Sequence, residues 1–494
     1  MKKTLFLSLV IVCAAQMMSA HTGFNERPKL VVGIVVDQMR WDYLGRYYDQ
    51  FGDDGFKRLV TKGYSCDNCL INYVPTVTAI GHASIYTGST PALHGICGND
   101  FYDHTLRSWT YCCRDNTVDG VGTDSRAGKM SPRNMLGNTI GDQLRLSNDF
   151  KSRVFGVALK DRAAILPAGH SANAAYWYDN SVGHFVSSTY YMQELPKWVR
   201  EFNKRNATKP GEDQKMKPEG VTLTFKMAEA LLENERLGQG DVTDMLCVSI
   251  SSTDAIAHEY GTRGAQTIAA YKQLDRDLAH FLSLLDRRIG RGRYLLFLTA
   301  DHGGAHNPNY MKRNHLPAGG WSASGTVKNI NKRLADKYGI DKLAVGNYGD
   351  FIFLDHARID SAGLDIQELK REAIAEAEKC PDLLRVVDCE HAATAGVPQL
   401  IRERIVNGYN RLRSGDLYCL PRANMFSWEF KDDYIGTTHS EWNPYDSHIP
   451  LVFLGWNIEH GSCAKNVNIV DIAATVCAML HIQRPSSCIG EALF

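Results

Sequence analysis

The feature that most constrains this chain is a series of apolar runs that each lead into polar residues. The runs span Leu30 to Val36, Val154 to Leu159, Met245 to Ile250 and Tyr294 to Thr299. The polar residues that follow them are Asp37, Lys160, Asp254 and Asp301. Such runs are typical of strands buried on both faces of a parallel sheet, whose carboxyl edge presents functional groups. We therefore expect these side chains to meet at one edge of a sheet.

Helical patterns lie between the runs, notably Thr222 to Glu233 and Thr267 to Leu285. This alternation predicts an α/β fold with a mostly parallel central sheet and helices on both faces. A later strand pattern at Ile449 to Leu454 and a final helix pattern near Ile469 to Leu480 would complete the core. With 494 residues, the chain is long enough to bury a large core.

Two segments interrupt the alternation. Residues from about 98 to 150 carry aromatic residues and cysteines with little periodicity. Residues from about 307 to 430 combine Gly-rich turns with a charged helix pattern near Ile366 to Lys379. We interpret both as insertions, the second as a cap, in a single catalytic domain that spans residues 21 to 494.

The first 20 residues have the pattern of a secretory signal peptide, with two lysines, an apolar run and a plausible cleavage site after Ala20. We therefore expect a periplasmic or secreted protein. Lipidation of Cys13 is the alternative, but the bulky pair Ile11-Val12 precedes it where lipoprotein signals prefer small residues. No later segment offers the roughly 18 apolar residues of a membrane span, so the mature protein is expected to be soluble.

Net charge limits the possible partners, and cysteine content predicts disulfides. The 55 basic and 55 acidic residues balance, which gives no electrostatic footprint for nucleic acid. The 13 cysteines, in an exported protein, predict disulfides. Cys66 and Cys69 resemble half of a zinc ribbon, with Cys97, Cys112 and Cys113 as further ligands, but an oxidising compartment favours disulfides over thiolate sites.

Six residues form the candidate metal-binding set, three carboxylates and three imidazoles. They are Asp37, Asp254, His258, Asp301, His302 and His439. Any one of them alone has an ordinary structural interpretation, as a helix cap or a hydrogen-bonded histidine. Together they match the ligand preference of zinc and suffice for two ions once a hydroxyl joins them.

Spacing supports two pairs within this set. Asp254 and His258 are four residues apart, so they project the same way from one helical turn. Asp301 and His302 are adjacent and would diverge on a strand. Both can reach one metal only from an irregular turn, which the following Gly303-Gly304 permits.

The segment Pro75 to Ser84 resembles the nucleophile motif of the phosphodiesterase and phosphatase branch of the alkaline phosphatase superfamily, and Thr78 aligns with the nucleophilic threonine. The other matching segments, in the family's order, are Gly33 to Asp37, His94 to Ile96, Asp254 to His258, Asp301 to Gly303 and Gly436 to His439. The resemblance implies two zinc ions per chain. One would take Asp254, His258 and His439, and the other Asp37, Asp301, His302 and Thr78.

A further segment, Ala158 to His170, resembles the part of secreted bacterial alkaline phosphatases that supplies cations to the substrate. By this resemblance Lys160 and Arg162 bind the phosphoryl group, and Asn99 matches an amide that binds a phosphoryl oxygen. A spacing of two would keep both cations on one side of an extended segment. A solvated pair at a strand end is the structural alternative.

The resemblance implies zinc-dependent hydrolysis of phosphate monoesters with a broad range of leaving groups, a phosphothreonine intermediate at Thr78, and inorganic phosphate as product. Lys160 and Arg162 together suit a dianionic monoester better than a monoanionic diester. The sequence leaves the oligomeric state open and is compatible with a monomer.

Three alternative functions have distinct sequence requirements. A phosphodiesterase or nucleotide pyrophosphatase would share the metal ligands and the threonine. A sulfatase needs a Cys/Ser-x-Pro-x-Arg motif, and the nearest segment, Cys419 to Ala423, lacks the final arginine. A binding protein without catalysis would lack a ligand or the nucleophile, and none is missing.

Overall fold

The computed structural model describes residues 26–494. The predicted signal peptide at residues 1 to 20 and Cys13 lie outside the described residues. The described chain is built on a ten-stranded central sheet. From one edge to the other, its strands are Gly461–Cys463, Tyr64–Cys66, Leu451–Gly455, Tyr294–Thr299, Leu30–Val36, Asp244–Ile250, Val154–Ala158, Ala174–Asp179, His184–Ser188 and Gly120–Val121.

The middle of this sheet is parallel. Leu30–Val36 lies between Asp244–Ile250 and Tyr294–Thr299 and is parallel to both. All seven of its residues are buried, as a strand covered on both faces requires. Antiparallel pairing occurs toward the two edges, for example between Tyr294–Thr299 and Leu451–Gly455. The expected mostly parallel sheet is therefore confirmed.

Helices flank the central sheet, and others lie in the segment from 307 to 430. Those of seven or more residues are Phe56–Lys62, Thr78–Thr87, Ile140–Leu146, Asp161–Ala168, Lys197–Asn206, Glu219–Asn234, Ser252–Tyr260, Ala265–Leu285, Ala323–Tyr338, Ile366–Ala377, Gln399–Gly408 and Asp471–Met479. Thr78–Thr87 packs against Asp161–Ala168, and Glu219–Asn234 packs against Ala265–Leu285. Each helix predicted from periodicity is present, with ends that differ by a few residues.

The segment from 307 to 430 contains more regular structure than its sequence indicated. It holds a four-stranded sheet of Ala344–Tyr348, Phe351–Leu354, Leu417–Pro421 and Leu383–Asp388, in that order. Helices Ala323–Tyr338 and Ile366–Ala377 pack on each other and share a hydrophobic cluster with this sheet. The earlier segment, 98 to 150, carries a hairpin of Asp100–Asp103 and Ser108–Tyr111.

The twelve cysteines of the described residues are all unpaired thiols, so the expected disulfides are not found in this part of the chain. Cys66 lies opposite Cys463 on a neighbouring strand of the central sheet. Among residues 26–494, no group of three potential metal ligands includes a cysteine, which gives no support to the zinc-ribbon alternative. None of the helices in these residues is both long and apolar enough to cross a membrane.

Gly81 sets how closely the helix Thr78–Thr87 approaches Asp301. A Cβ at this position would meet the Asp301 carbonyl oxygen at 2.2 Å and the Asp301 Cβ at 2.6 Å. Backbone atoms cannot rotate away as the end of a side chain can, so any larger residue must push the helix outward. The close packing of the helix on the sheet edge therefore depends on glycine here.

We expect Gly81→Ala to destabilise the protein by about 1–3 kcal/mol, the usual cost of overpacking. The measurement is the free energy of unfolding in urea. Gly45→Ala is the matched control, because a Cβ at Gly45 meets nothing within 4 Å and should change stability by less than about 1 kcal/mol. Equal stability of the two variants would contradict this account of Gly81.

Candidate active site

The carboxyl edge of the parallel strands brings three carboxylates together, as the sequence predicted. Asp37 follows the strand Leu30–Val36, and Asp301 lies just beyond Tyr294–Thr299. Asp254 lies in the first turn of the helix Ser252–Tyr260, which follows Asp244–Ile250. These three strands are neighbours in the sheet. All three carboxylates are buried, none more than 4% exposed.

The histidines join these carboxylates in two overlapping groups. Ligand atoms of Asp37, Asp301 and His302 lie within 4.8 Å of one another, and so do those of Asp254, His302 and His439. His258 Nε2 lies 3.1 Å from Asp254 Oδ1, which fits the expected same-side projection from one helical turn. His302 thus belongs to both groups. The division of the ligands between two ions stays a prediction.

Backbone carbonyls orient all three imidazoles. Nδ1 lies 2.9 Å from the Thr437 oxygen in His258, 2.9 Å from the Gly303 oxygen in His302, and 2.7 Å from the Thr76 oxygen in His439. A carbonyl only accepts, so each Nδ1 must carry the proton. In the neutral ring Nε2 is then free to bind a metal, which is the usual arrangement of metal-bound histidine.

Unsatisfied buried atoms provide an independent test of metal binding. Asp37 Oδ1, Asp301 Oδ2 and His302 Nε2 are buried and have no hydrogen-bond partner. Burying such atoms unpaired is costly, whereas coordination to a cation would satisfy them. Burial also lowers the pKa of His302 and, together with neighbouring His302, holds the pKa of His439 well below its ordinary value. Both rings are thus neutral, as ligands must be, and the residues fit a metal centre.

The carboxylates differ in their electrostatic environment. Burial raises the pKa of Asp37 well above its ordinary value, and the nearby Asp254 and Asp301 raise it further. Burial also acts to raise the pKa of Asp254, but Lys160 and His258 hold it well below its ordinary value. Positive charge therefore decides which of these clustered carboxylates ionise easily.

Thr78 begins the helix Thr78–Thr87 and is buried, with 1% of its surface exposed. His82, one turn along the same helix, ties this helix to the metal-binding set. Its Nδ1 lies 2.8 Å from the Thr78 carbonyl oxygen and 3.3 Å from Asp301 Oδ2. The sequence pattern assigned His82 no role, although its spacing of four from Thr78 was the available signal.

Asn99 lies beside the start of this helix. The Ala79 N–H donates to Asn99 Oδ1 over 3.0 Å, which fixes the orientation of the amide. The Asn99 N–H donates to the Tyr348 hydroxyl over 3.0 Å. Tyr348 belongs to the four-stranded sheet of the insertion, so the insertion helps to hold Asn99. No sequence pattern predicts this contact.

The two predicted substrate cations occupy a different backbone conformation from the one expected. A helix begins at Asp161, so Lys160 is its N-cap and Arg162 its second residue, rather than two residues of an extended segment. The acidic Asp161 in the first turn favours this helix start and was the missed signal. The expected side-by-side projection from an extended segment is therefore wrong.

The contacts of the two cations also differ. Lys160 Nζ lies 2.6 Å from Asp37 Oδ2 and 2.5 Å from Asp254 Oδ2, which links carboxylates of both groups. The Arg162 guanidinium donates over 3.1 Å to the Tyr111 hydroxyl, which itself donates to Asp161. Arg162 Nε is buried without a partner. Tyr111 thus positions Arg162, a role that only the folded hairpin reveals.

Gln38 is the second residue that the sequence patterns missed at the centre itself. Its backbone N–H donates to Asp301 Oδ1 over 3.1 Å, and its Nε2 donates to Asp254 Oδ1 over 2.9 Å. It thereby orients one carboxylate from each metal-binding group. Its φ of 59° is left-handed, which costs energy for a residue other than glycine. Its position directly after Asp37 was the available signal.

Comparison with known proteins agrees with this fold and site. The family model of type I phosphodiesterase / nucleotide pyrophosphatase matches residues 31–440. The chain belongs to this family, within the alkaline phosphatase superfamily.

Individual relatives match over nearly the whole chain. Alkaline phosphatase PafA of Elizabethkingia meningoseptica is 40% identical over 98% of this chain and 97% of its own length. Alkaline phosphatase PhoV of Synechococcus elongatus is 40% identical over 94% of this chain and 92% of its own length. A Myroides odoratus protein named calcium-transporting ATPase is 43% identical over 94% of each chain.

The crystal structure of wild-type PafA has a TM-score of 0.90 to this chain at 40% identity and covers 95% of this chain and 99% of PafA. A PafA variant with one threonine, one asparagine, one lysine and one arginine replaced has also been crystallised.

We expect Gln38→Asn to weaken metal binding about 10- to 100-fold, as loss of an outer hydrogen bond to a ligand typically does. The shorter amide cannot reach Asp254, while asparagine tolerates the left-handed backbone and keeps the N–H to Asp301. The measurement is competition between the protein and a chelator for zinc. Gln399→Asn, at an exposed helix start, is the control and should bind zinc like the wild type. Unchanged zinc affinity in Gln38→Asn would show that Gln38 does not support metal binding.

Proposed function

We propose that this chain is a zinc-dependent alkaline phosphatase that hydrolyses phosphate monoesters through a phosphothreonine at Thr78. One observation carries the proposal: a buried threonine, a set of six metal-binding residues and two cations occupy one sheet edge. The near full-length similarity to two alkaline phosphatases supports it. The products are the leaving alcohol and inorganic phosphate, and the leaving group is broadly variable.

Two zinc ions are the proposed cofactor. Asp254, His258 and His439 would hold one, and Asp37, Asp301, His302 and Thr78 the other. When bound, zinc supplies Lewis-acid activation of oxygen and charge stabilisation at the phosphoryl group. The protein's own task is to hold the ligands in place, through Gln38 and the three carbonyls that accept from the histidines.

Thr78 is the proposed nucleophile. Its hydroxyl loses a proton and its oxygen forms a bond to phosphorus as the bond from phosphorus to the leaving oxygen breaks, and the leaving oxygen takes up a proton to give the alcohol. Water then cleaves the phosphothreonine, which releases inorganic phosphate and restores the hydroxyl. A free threonine hydroxyl is a weak nucleophile near neutral pH, so activation at the centre is required. Gly81 lets the helix Thr78–Thr87, which begins at Thr78, pack closely on Asp301.

Asn99, Lys160 and Arg162 are the proposed phosphoryl-binding residues. Phosphoryl transfer depends mainly on positioning and charge stabilisation, and a monoester dianion offers more negative charge to two cations than a diester does. Tyr111 holds the guanidinium and Ala79 orients the amide. The crystallised PafA variant is changed at the same four residue types that we assign, a threonine, an asparagine, a lysine and an arginine.

A phosphodiesterase is the second candidate, because the family model itself is named for this activity. The charges of Lys160 and Arg162 favour the monoester.

We also propose that the protein acts in the periplasm or after secretion, without nucleic acid or a membrane span, and that residues 21 to 494 form one catalytic domain. All the residues assigned above belong to one chain, so a monomer is sufficient to form the proposed site.

The combined change Lys160→Ala and Arg162→Ala should reduce kcat/KM for p-nitrophenyl phosphate about 10²- to 10⁴-fold, since charged hydrogen bonds contribute about 1.5–3 kcal/mol each. The residual rate on bis-p-nitrophenyl phosphate should change far less. The wild type should prefer the monoester over the diester and p-nitrophenyl sulfate. The measurement is kcat/KM of the wild type and of the variant on each of these substrates under the same conditions.

The control is Lys204→Ala with Arg205→Ala, the same charge change on an exposed helix. Zinc content of each variant is measured too, because Lys160 contacts two metal-binding carboxylates. A wild type that cleaves the diester much faster than the monoester would overturn the proposed substrate class.

Thr78→Val, which keeps the shape of threonine but lacks the hydroxyl, should lower kcat at least about 10³-fold, as loss of a nucleophile does. Thr78→Ser should retain measurable turnover. Acid quenching during turnover of a labelled phosphate ester should trap label on the wild-type chain and none on Thr78→Val. Full activity of Thr78→Val with normal zinc content would refute the assigned nucleophile.

A further inference from the structure

A second cluster of potential metal ligands lies where the hairpin of Asp100–Asp103 and Ser108–Tyr111 meets the insertion sheet. His104 directly follows the first strand of the hairpin. His356 begins the helix His356–Ser361, and Asp416 directly precedes the strand Leu417–Pro421. None of the three belongs to the family ligand set described above.

The geometry of this cluster suits one metal ion. Ligand atoms of His104, His356 and Asp416 all lie within 4.8 Å of one another. His356 Nε2 lies 2.6 Å from Asp416 Oδ1, and the two imidazole rings stack with their centroids 4.1 Å apart. Ligands of a tetrahedral zinc ion lie about 3.4 Å apart. Around such an ion His356 Nε2 and Asp416 Oδ1, now 2.6 Å apart, would therefore separate by about 0.8 Å.

Three features of the candidate active site recur here. There, too, a histidine contacts a carboxylate, with His258 Nε2 3.1 Å from Asp254. Two imidazoles also stack there, with the His302 and His439 centroids 3.6 Å apart. Finally, each site has a buried ring nitrogen without a hydrogen-bond partner, His302 Nε2 in one and His104 Nδ1 in the other.

The protonation state of His104 follows from its other nitrogen. Nε2 lies 3.3 Å from the Ser414 carbonyl oxygen, which only accepts, so Nε2 carries the proton and Nδ1 holds a lone pair. The Leu354 N–H donates to Asp416 Oδ2 over 2.7 Å and so directs Oδ1 toward the histidines.

We propose that His104, His356 and Asp416 bind a divalent transition-metal ion, with the ligand chemistry of zinc and a solvent molecule as fourth ligand. A simple ion pair between His356 and Asp416 leaves His104 Nδ1 buried and unsatisfied, whereas a bound ion satisfies all three. The His356 side chain is 30% exposed, which gives the ion a path from solvent.

The contrast with another acidic group supports this choice. Asp388, Glu390 and His391 also bring ligand atoms within 4.8 Å of one another. There, however, Lys370 Nζ already donates to both carboxylates, over 2.9 and 3.1 Å. No atom of that group is a buried nitrogen without a partner among the described residues.

The ion would fasten the hairpin to the insertion sheet. His104 lies five residues after Asn99, at the far end of the strand that Asn99 precedes. His356 and Asp416 both lie in the insertion. The site would therefore hold in place the element that carries the proposed phosphoryl-binding amide, without contacting substrate itself.

Metal content per chain, measured by mass spectrometry after zinc loading and dialysis, tests the proposal. The full-length wild type should hold one zinc equivalent more than His356→Ala and one more than His104→Gln. His460→Ala, an exposed histidine, should match the wild type. The difference between wild type and variant does not depend on how many ions the catalytic centre holds, so this test is independent of the proposed function.

Anomalous scattering at the zinc absorption edge from wild-type crystals grown with zinc gives a second test that needs no variant. A peak between His104, His356 and Asp416 is expected. Equal zinc content in wild type and folded variants would overturn the proposal. Absence of that peak would overturn it as well, even if both variants failed to fold.

Discussion

The burial of three carboxylates at one sheet edge is the constraint on which the rest of the site depends. Asp37, Asp254 and Asp301 are almost wholly removed from water, and clustered buried charges of one sign repel strongly. Lys160 offsets part of this charge through contacts to two of them. His302 and His439, whose Nδ1 atoms donate to backbone carbonyls, present Nε2 lone pairs rather than protons. The arrangement is thus built for further positive charge, which the proposed cofactor supplies.

Much of the fold and the core of the site could be predicted because they depend on local patterns. Apolar runs identify parallel strands, and the carboxyl ends of neighbouring parallel strands meet, so the sequence alone was enough to group Asp37, Asp254 and Asp301. The spacing of Asp254 and His258 on one helical turn was equally local. Thr78 and Asn99 came only from the family resemblance, since no spacing connects them to the other residues.

What escaped prediction depends on contacts between distant parts of the chain. Tyr111 and Tyr348 act on Arg162 and Asn99 through hydrogen bonds that form only once the hairpin and the insertion have folded. His302 was assigned to one metal group, yet the sheet edge brings it within reach of both. The insertion looked irregular because its strands are short and the last two are each preceded by a long connection, although all four assemble into a sheet with its own hydrophobic cluster.

The contact between Tyr348 and the Asn99 backbone divides the site between two parts of the molecule. The candidate metal-binding residues depend on the central sheet, whereas the position of Asn99, the proposed phosphoryl-binding amide, also depends on the insertion. Sequence change within the insertion can therefore adjust how phosphate is held while every metal-binding residue stays the same. On the proposed assignment, affinity for the phosphoryl group and assembly of the metal centre are then free to diverge separately during the evolution of this chain.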